Sequence, residues 1–254
     1  MIKLNNKKKT GFFSRLIRFV RNLIILFFVV SISWVILARF IPVYITPLMV
    51  IRTVESIIDG EKPGNSKKWV PIEDISPNMI QAVVASEDNL FLKHHGFSFR
   101  DISNAIKHNK KGKRIIGGST ISQQTAKNVF LWPRRSYLRK GLEAYFTVLI
   151  ELIWSKERIM EVYLNVIEMG DGIYGVQAAS LEHFGKDASE LKKSQAALIA
   201  ACLPNPRKYN AGNPSGYIQR RKSRIMSLMG KMEKVSFDTQ NDKITDQSKN
   251  KSKR

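Results

Sequence analysis

From Asn22 to Phe40 the chain reads NLIILFFVVSISWVILARF, apolar on every side and without a charge until Arg39. A membrane-crossing helix needs about 20 such residues. The run reaches that length with Arg21 and Arg39 stretching toward the headgroups, and IPVYITPLMVI carries the apolar character further. It predicts one transmembrane helix over residues 22–41. The apolar core of a secretory signal is shorter, about 7–15 residues, and ends in a small-x-small cleavage site. No such site follows, so the pattern reads as an anchor. Lys3, Lys7, Lys8, Lys9, Arg15, Arg18 and Arg21 precede the span with no acid among them. By the positive-inside rule they place residues 1–21 in the cytoplasm and the rest of the chain on the far face.

Beyond the anchor, GEKPGNSKK at 60–68 reads as a linker, giving a membrane-proximal segment at 42–69, and PIEDISPNM follows as the start of a helix. Apolar residues then recur at helical steps: Phe99, Ile102, Ala105 and Ile106, and later SQAALIAACLP, with Ser194 as N-cap and Pro204 as stop. The clearest helix spans 136–155. Leu138, Leu142, Tyr145, Phe146, Leu149, Leu152 and Ile153 form one stripe there, leaving Arg139, Lys140, Glu143 and Thr147 on the other side. No alternating strand pattern is evident. KHNKKGKR at 107–114 reads as a basic loop, and residues 232–254 as a polar tail. The folded domain is therefore expected over 70–231, mainly α.

The chain has 254 residues, enough for one substantial core, and 42 Lys+Arg against 21 Asp+Glu give a formal charge of +21. That excess implies an anionic partner: nucleic acid, acidic lipid or a phosphorylated substrate. The anchor assigns part of it to topology and lipid contact, which weakens the nucleic-acid reading. Cys202 is the sole cysteine, so no intrachain disulfide forms, and its place in AALIAACLP marks it as core.

Candidate chemistry lies in four clusters: EDNLFLKHHG at 87–96, GGSTISQQTAKN at 117–128, RKGLE at 139–143 and KERIMEVYLN at 156–165. Singly, each has an ordinary explanation as a cap, a polar helix face or an ion pair at helical spacing. In this order they resemble the signature of the peptidoglycan glycosyltransferases of family 51. The matching residues are Glu87, Asp88, Phe91, His94 and Gly96, then Gly117, Ser119, Thr120, Gln123, Gln124, Lys127 and Asn128. Arg139, Lys140 and Glu143 follow, then Lys156, Ile159, Tyr163, Leu164 and Asn165. The likeness covers roughly residues 70 to 230.

The resemblance implies a lysozyme-like glycosyltransferase domain behind one N-terminal transmembrane helix, in the bacterial inner membrane. It implies transfer of a lipid-linked glycan chain onto the 4-hydroxyl of lipid II, with inversion to a β-1,4 bond and release of undecaprenyl diphosphate. Glu87, ending an apolar segment, is the expected general base, its pKa raised by desolvation. Asp88, Phe91 and His94 are its expected support, His94 as a structural hydrogen-bonder. A glycosidase needs a second acid for a poor leaving group, whereas a diphosphate is stabilised by cations. Lys127, Arg135, Arg139 and Lys140 are the candidates, with Arg139 also able to neutralise Glu143 and Glu151. Glu143 is carried over as the second essential glutamate, organising the diphosphate site. Ser119, Thr120, Gln123, Gln124 and Asn128 are expected as substrate-contacting or loop-fixing groups.

No tightly bound cofactor is expected; a divalent cation, magnesium or manganese, at the diphosphate is the one candidate. Expected partners are lipid II, the lipid-linked glycan, membrane lipids and other cell-wall synthesis proteins, with no nucleic acid. A transpeptidase would require Ser-x-x-Lys, Ser-x-Asn and Lys-Thr-Gly in that order. Here SELK stands at 189–192, SPN at 76–78 and KTG at 9–11, reversed, so polymerisation without cross-linking is expected. The rival readings are a lytic lysozyme-like enzyme and a non-catalytic scaffold binding anionic wall polymers.

Overall fold

The computed structural model of the chain describes residues 9–60, 66–98, 118–133 and 136–237. Gly117, Arg135, the spacing from Phe99 to Ile106 and the basic loop at 107–114 lie outside the described residues, as does the chain after 237. Two units form, Met1–Ile41 and Pro42–Arg254.

The first unit is one helix, α1 (Lys9–Phe40). Its stretch Phe13–Phe40, 28 residues at mean hydropathy 2.5, is long and apolar enough to cross a membrane. The helix begins well before the expected residue 22. Its basic side chains are good helix formers, and local bonds such as Arg18 Nε to the Ser14 carbonyl, 3.2 Å, fit the extension.

The second unit opens on α2 (Pro47–Ile58), capped by Thr46 with Pro47 at its first position. α3 (Pro77–Glu87) is capped by Ser76, whose hydroxyl also donates to the Leu191 carbonyl at 2.8 Å. The remaining helices are α4 (Ile121–Phe130), α5 (Tyr137–Ile153), α6 (Lys156–Val166), α7 (Val176–Phe184), α8 (Lys193–Cys202) and α9 (Gly216–Lys231). Ser136, Ser155 and Ser215 cap α5, α6 and α9 by accepting the N–H three residues on. α8 starts two residues earlier than expected: Lys192, not Ser194, is its N-cap, and Gln195 Oε1 accepts the Lys192 N–H at 3.0 Å.

α8 packs between α3 and α9, and α4 packs on α5 and α6. The core runs through both groups, with Met79, Phe91, Ile159, Tyr163 and Cys202 fully buried. A small sheet joins β1 (Ser66–Lys67), β3 (Ile173–Tyr174) and β2 (Glu168–Gly170) in the order β1-β3-β2, parallel then antiparallel. Strands of two or three residues cannot generate an alternating pattern, which is why none was visible in the sequence. Ser66 and Lys67 fall in the expected linker, yet form β1. Just beyond, the Asn165 side chain stands in for a strand, accepting the Val70 N–H at 2.9 Å and donating to its carbonyl at 2.8 Å.

Two further expectations are corrected. On α5 the buried side chains are Glu143, Phe146, Thr147 and Ile150, whereas Leu138 and Leu152 are 70% and 77% exposed. Glu143 and Thr147, read as polar, thus point inward beside Phe146 of the apolar stripe, while Lys140 stays exposed. The polar tail is not free from residue 232 onward: the Gln81 amide donates to the Glu233 carbonyl at 3.0 Å and accepts the Val235 N–H at 2.8 Å, fixing that segment to α3.

Candidate active site

The stretch after α3 is a series of turns wound around Asp88. Asp88 is buried, with His94 Nε2 2.9 Å from both of its oxygens, and Oδ2 also accepts the Ile121 N–H at 3.0 Å. His94 Nδ1 accepts from the Gly96 N–H at 3.1 Å, which assigns the proton to Nε2. A carboxylate on the first N–H of α4 satisfies an orphan donor and suits the positive pole of the helix. Asp88 and His94 therefore bolt the end of α3 to the start of α4. Thr120 completes the joint: its hydroxyl donates to the Gly96 carbonyl at 2.6 Å, and it forms a capping box with Gln123. Of the two roles open to Thr120 and Gln123, the structure places them in this buried cap, away from the cleft described below.

Glu87 is the last residue of α3, one position before this bolt. Its Oε2 accepts from Gln124 Nε2 at 3.1 Å, and Gln124 Oε1 accepts from the Tyr163 hydroxyl at 3.3 Å. Burial holds the Glu87 pKa above the usual carboxylate range, with Asp88 adding to the rise; the Gln124 bond, Arg221 and Lys127 oppose it. The negative pole at the end of α3 works in the same direction as burial. Burial likewise pushes the Tyr163 hydroxyl well above its ordinary value.

Gln124 and Tyr163 open onto a cleft of about 960 Å³. Ser119, Lys127 and Asn128 line it from α4 and the chain before it, and Arg139, Lys140 and Glu143 from α5. Glu143 is 3% exposed, a depth that is costly for an isolated charge, and it is ion-paired with Lys140. The neutralising partner is thus Lys140 rather than Arg139, which donates to the Trp132 carbonyl at 3.3 Å. Burial lowers the Lys127 pKa; Glu143 opposes this most, Arg139 and Lys140 deepen it, and Glu87 opposes it. One lysine is accordingly within electrostatic reach of both predicted glutamates. Glu151 pairs with Lys156 at 2.7 Å and accepts from the Ser122 hydroxyl. Phe91 is fully buried beneath that pair, with Lys156 Nζ 4.7 Å from its ring centre.

A family model described as Transglycosylase matches residues 54–230. The chain belongs to the transglycosylase family. It is 56% identical over 215 residues to a biosynthetic peptidoglycan transglycosylase of Bacteroides thetaiotaomicron, covering 85% of this chain and 87% of that protein. Its counterpart of the same description in Bdellovibrio bacteriovorus is 55% identical over 210 residues, 83% of this chain and 84% of that one. That of Caulobacter vibrioides is 49% identical over 217 residues, 84% and 92% respectively. Membership makes this chain a glycosyltransferase with a lysozyme-like domain, and the matched span contains α3 to α8, Glu87 and the cleft walls from α4 and α5.

The cleft and its surroundings also bring in residues beyond the expected set. Tyr163 falls within a matched motif, yet only the fold shows that its hydroxyl holds Gln124. Arg52 of α2 and Glu168 of β2 line the same cleft. Burial raises the Glu168 carboxyl, while a bond from the Gly172 N–H and the charge of Arg52 oppose the rise. No motif signalled either residue. Among the described residues no group of three or more His, Cys, Asp or Glu side chains is placed to hold a metal ion. Glu143 shares its charge with Lys140, and both Asp88 oxygens are engaged.

Proposed function

We propose that this transglycosylase polymerises peptidoglycan glycan strands, with Glu87 as general base toward the 4-hydroxyl of lipid II. The observation that carries the reading is a carboxylate with a raised pKa, aimed by Gln124, beside a cleft whose walls carry Lys127, Arg139 and Lys140 around the buried Glu143. A base working near neutral pH needs such an elevation.

In the proposed step Glu87 takes the hydroxyl proton as the oxygen attacks the anomeric carbon of the lipid-linked chain. The bond to the diphosphate oxygen breaks, that oxygen keeps the electron pair, and the configuration inverts to β-1,4. Arg139 offers a two-pronged phosphate contact, and Lys127 and Lys140 offer point charges, all strengthened where water is excluded. Glu143 sets the spacing of these cations by pairing with Lys140. Departure of the diphosphate uses Lys127, Lys140 and Arg139, and no step is routed through a metal.

The helix α1 supports an anchor in the bacterial inner membrane, with residues 1–21 cytoplasmic and the domain on the outer face. Val54, Ile57 and Ile58 of α2 and Tyr137 and Leu138 of α5 are exposed, and both helices contribute to the cleft. An apolar rim of this kind fits contact with bilayer lipids, from which both substrates are drawn. Polymerisation without cross-linking fits the use of Ser76 and Asn78 as donors to the Leu191 carbonyl, a structural joint rather than a nucleophile site.

Incubation of the purified full chain with lipid II tests the reading. The expected result is a lysozyme-sensitive polymer from the wild type and none from Glu87→Gln, with the two proteins equally folded. Release of fragments from finished peptidoglycan, with no polymer from lipid II, would overturn it in favour of a lytic enzyme.

A further inference from the structure

Helix α9 carries no acidic residue. Arg220, Arg224 and Lys231 are exposed, and their spacing of four and seven places them on one face, a stripe about 16 Å long at 1.5 Å per residue. Gly216, Ser223 and Ser227 share that face and are also exposed, so no bulky side chain screens the cations. Lys193 of the neighbouring α8 joins the end of the stripe: its Nζ lies 3.8 Å from where a side chain on Gly230 would begin.

None of these four cations has an acid within ion-pair distance among the described residues. Lys192 and Lys193 occupy the N-cap and first position of α8, whose first turn has no acid. Lysines there oppose the positive pole of the helix. The fold thus tolerates a local electrostatic cost while concentrating positive charge on one ridge.

Two observations indicate what the ridge meets. It starts beside the site, since α9 packs on α3, the helix that ends at Glu87, and Arg221 on the same turn as Arg220 acts on the Glu87 carboxylate. It is also poor in apolar groups. Of the large exposed hydrophobics only Leu228, at 37%, belongs to α9, whereas those that suit a bilayer lie on α2 and α5. A face with charge and no apolar wedge fits a solvated polyanion better than a membrane. We propose that Arg220, Arg224, Lys231 and Lys193 form a docking track for the carboxylate-bearing glycan strand as it leaves the site. The proposal rests on the polymerase reading above. The side chains of the stripe alternate with serine hydroxyls, a lining matched to carboxylates and amides spaced along a strand.

The test uses the full chain in detergent micelles and the triple variant Arg220→Glu/Arg224→Glu/Lys231→Glu, with the Gln triple as a milder companion. Fluorescent uncross-linked glycan strands bearing peptide stems, neutral chitin oligomers and phosphatidylglycerol vesicles serve as probes. The wild type binds the stem-bearing strands in a salt-sensitive way and ignores chitin. The Glu triple binds the strands about tenfold or more weakly. Its initial rate on lipid II stays within about twofold of wild type, because Glu87 and the cleft are untouched, and its products are shorter. Unchanged strand affinity and product length in the Glu triple, or a loss confined to phosphatidylglycerol vesicles, would overturn the track. A wild type that binds strands but makes no polymer would instead overturn the polymerase reading.

Discussion

Gln124 reaches Glu87 from the next helix, donating from Nε2 to Glu87 Oε2 at 3.1 Å while its other end is held by the Tyr163 hydroxyl at 3.3 Å. The order of the chain fixes its polarity: the phenol donates to the amide oxygen, so the amide nitrogen must face the carboxylate. A hydrogen bond to a charged group is worth about 1.5–3 kcal/mol. Gln124→Ala should therefore move the acid limb of the activity profile to higher pH and lower the rate at neutral pH by about tenfold or more. Tyr163→Phe should have a smaller effect of the same sign, since Gln124 stays but loses its orientation. Rates of lipid II polymerisation across pH check both. A Gln124→Ala profile with an unmoved acid limb would show that the amide does not tune Glu87.

Glu87 and Lys127 together predict a bell-shaped profile. Burial raises the carboxyl and lowers the ammonium, so activity should climb above the ordinary glutamate range and fall below the ordinary lysine range. Lys127→Arg should push the alkaline limb beyond the lysine range while keeping the charge.

The same group sets a stability trend. The folded state holds the Glu87 proton more tightly than the unfolded chain, so this residue's contribution falls as pH rises from its unfolded to its raised folded pKa. Above that window the ionisation cost is fully present. Glu87→Gln should then lose activity by about 10²-fold or more while melting no lower than wild type at neutral pH. Thermal unfolding followed by circular dichroism reads the second outcome, and a large drop in Tm would contradict it.

Gly96 has φ of +85°, and a Cβ there would lie 2.8 Å from Thr147 Cγ2 and 3.0 Å from Glu151 Cγ. Its carbonyl also takes the Thr120 hydroxyl, so a shift of this turn loosens the start of α4. Gly96→Ala should cost about 2–5 kcal/mol from backbone strain and overpacking. At about 2–4 °C per kcal/mol that is a fall in Tm of roughly 4–20 °C. Adding Thr147→Ser removes the nearer methyl and should restore part of it. No recovery in the double variant would place the whole cost in the backbone.

What could be seen in advance followed from side-chain type and spacing. A long apolar run, serines before helices and an ordered set of acids, amides and cations all carry local signals. Thr120 and Gln123 carried one too, the Thr-x-x-Gln of a capping box. The orientation of α5 did not. Leu138 and Leu152 are exposed while Glu143 and Thr147 are buried, because Lys140 and the backbone satisfy those polar groups. A hydrophobic stripe looks the same whether it faces a core or the outside of the domain. Equally invisible were contacts between distant positions: Gln81 on the segment after α9, Asn165 on Val70, and Arg52 and Glu168 across the cleft. Each depends on where two elements come to rest, which no local pattern encodes.

Lys156 and Glu151 form a pair whose side chains are 7% and 6% exposed. Burial lowers the Lys156 pKa, and Glu151 opposes that fall, so the ammonium depends on its partner. Breaking such a pair from one side leaves a charge without compensation and costs about 3–5 kcal/mol. Lys156→Met should therefore lower Tm by roughly 6–20 °C, with Glu151 left only the Ser122 hydroxyl. Replacing both residues by apolar ones of similar size removes the orphan charge, so Lys156→Met/Glu151→Leu should be markedly more stable than Lys156→Met alone. Because the pair covers Phe91 and does not line the cleft, the refolded double variant should still polymerise lipid II. A double variant as unstable as the single would mean that Lys156 acts through its packing on Phe91, at 4.7 Å from the ring centre, rather than through its charge.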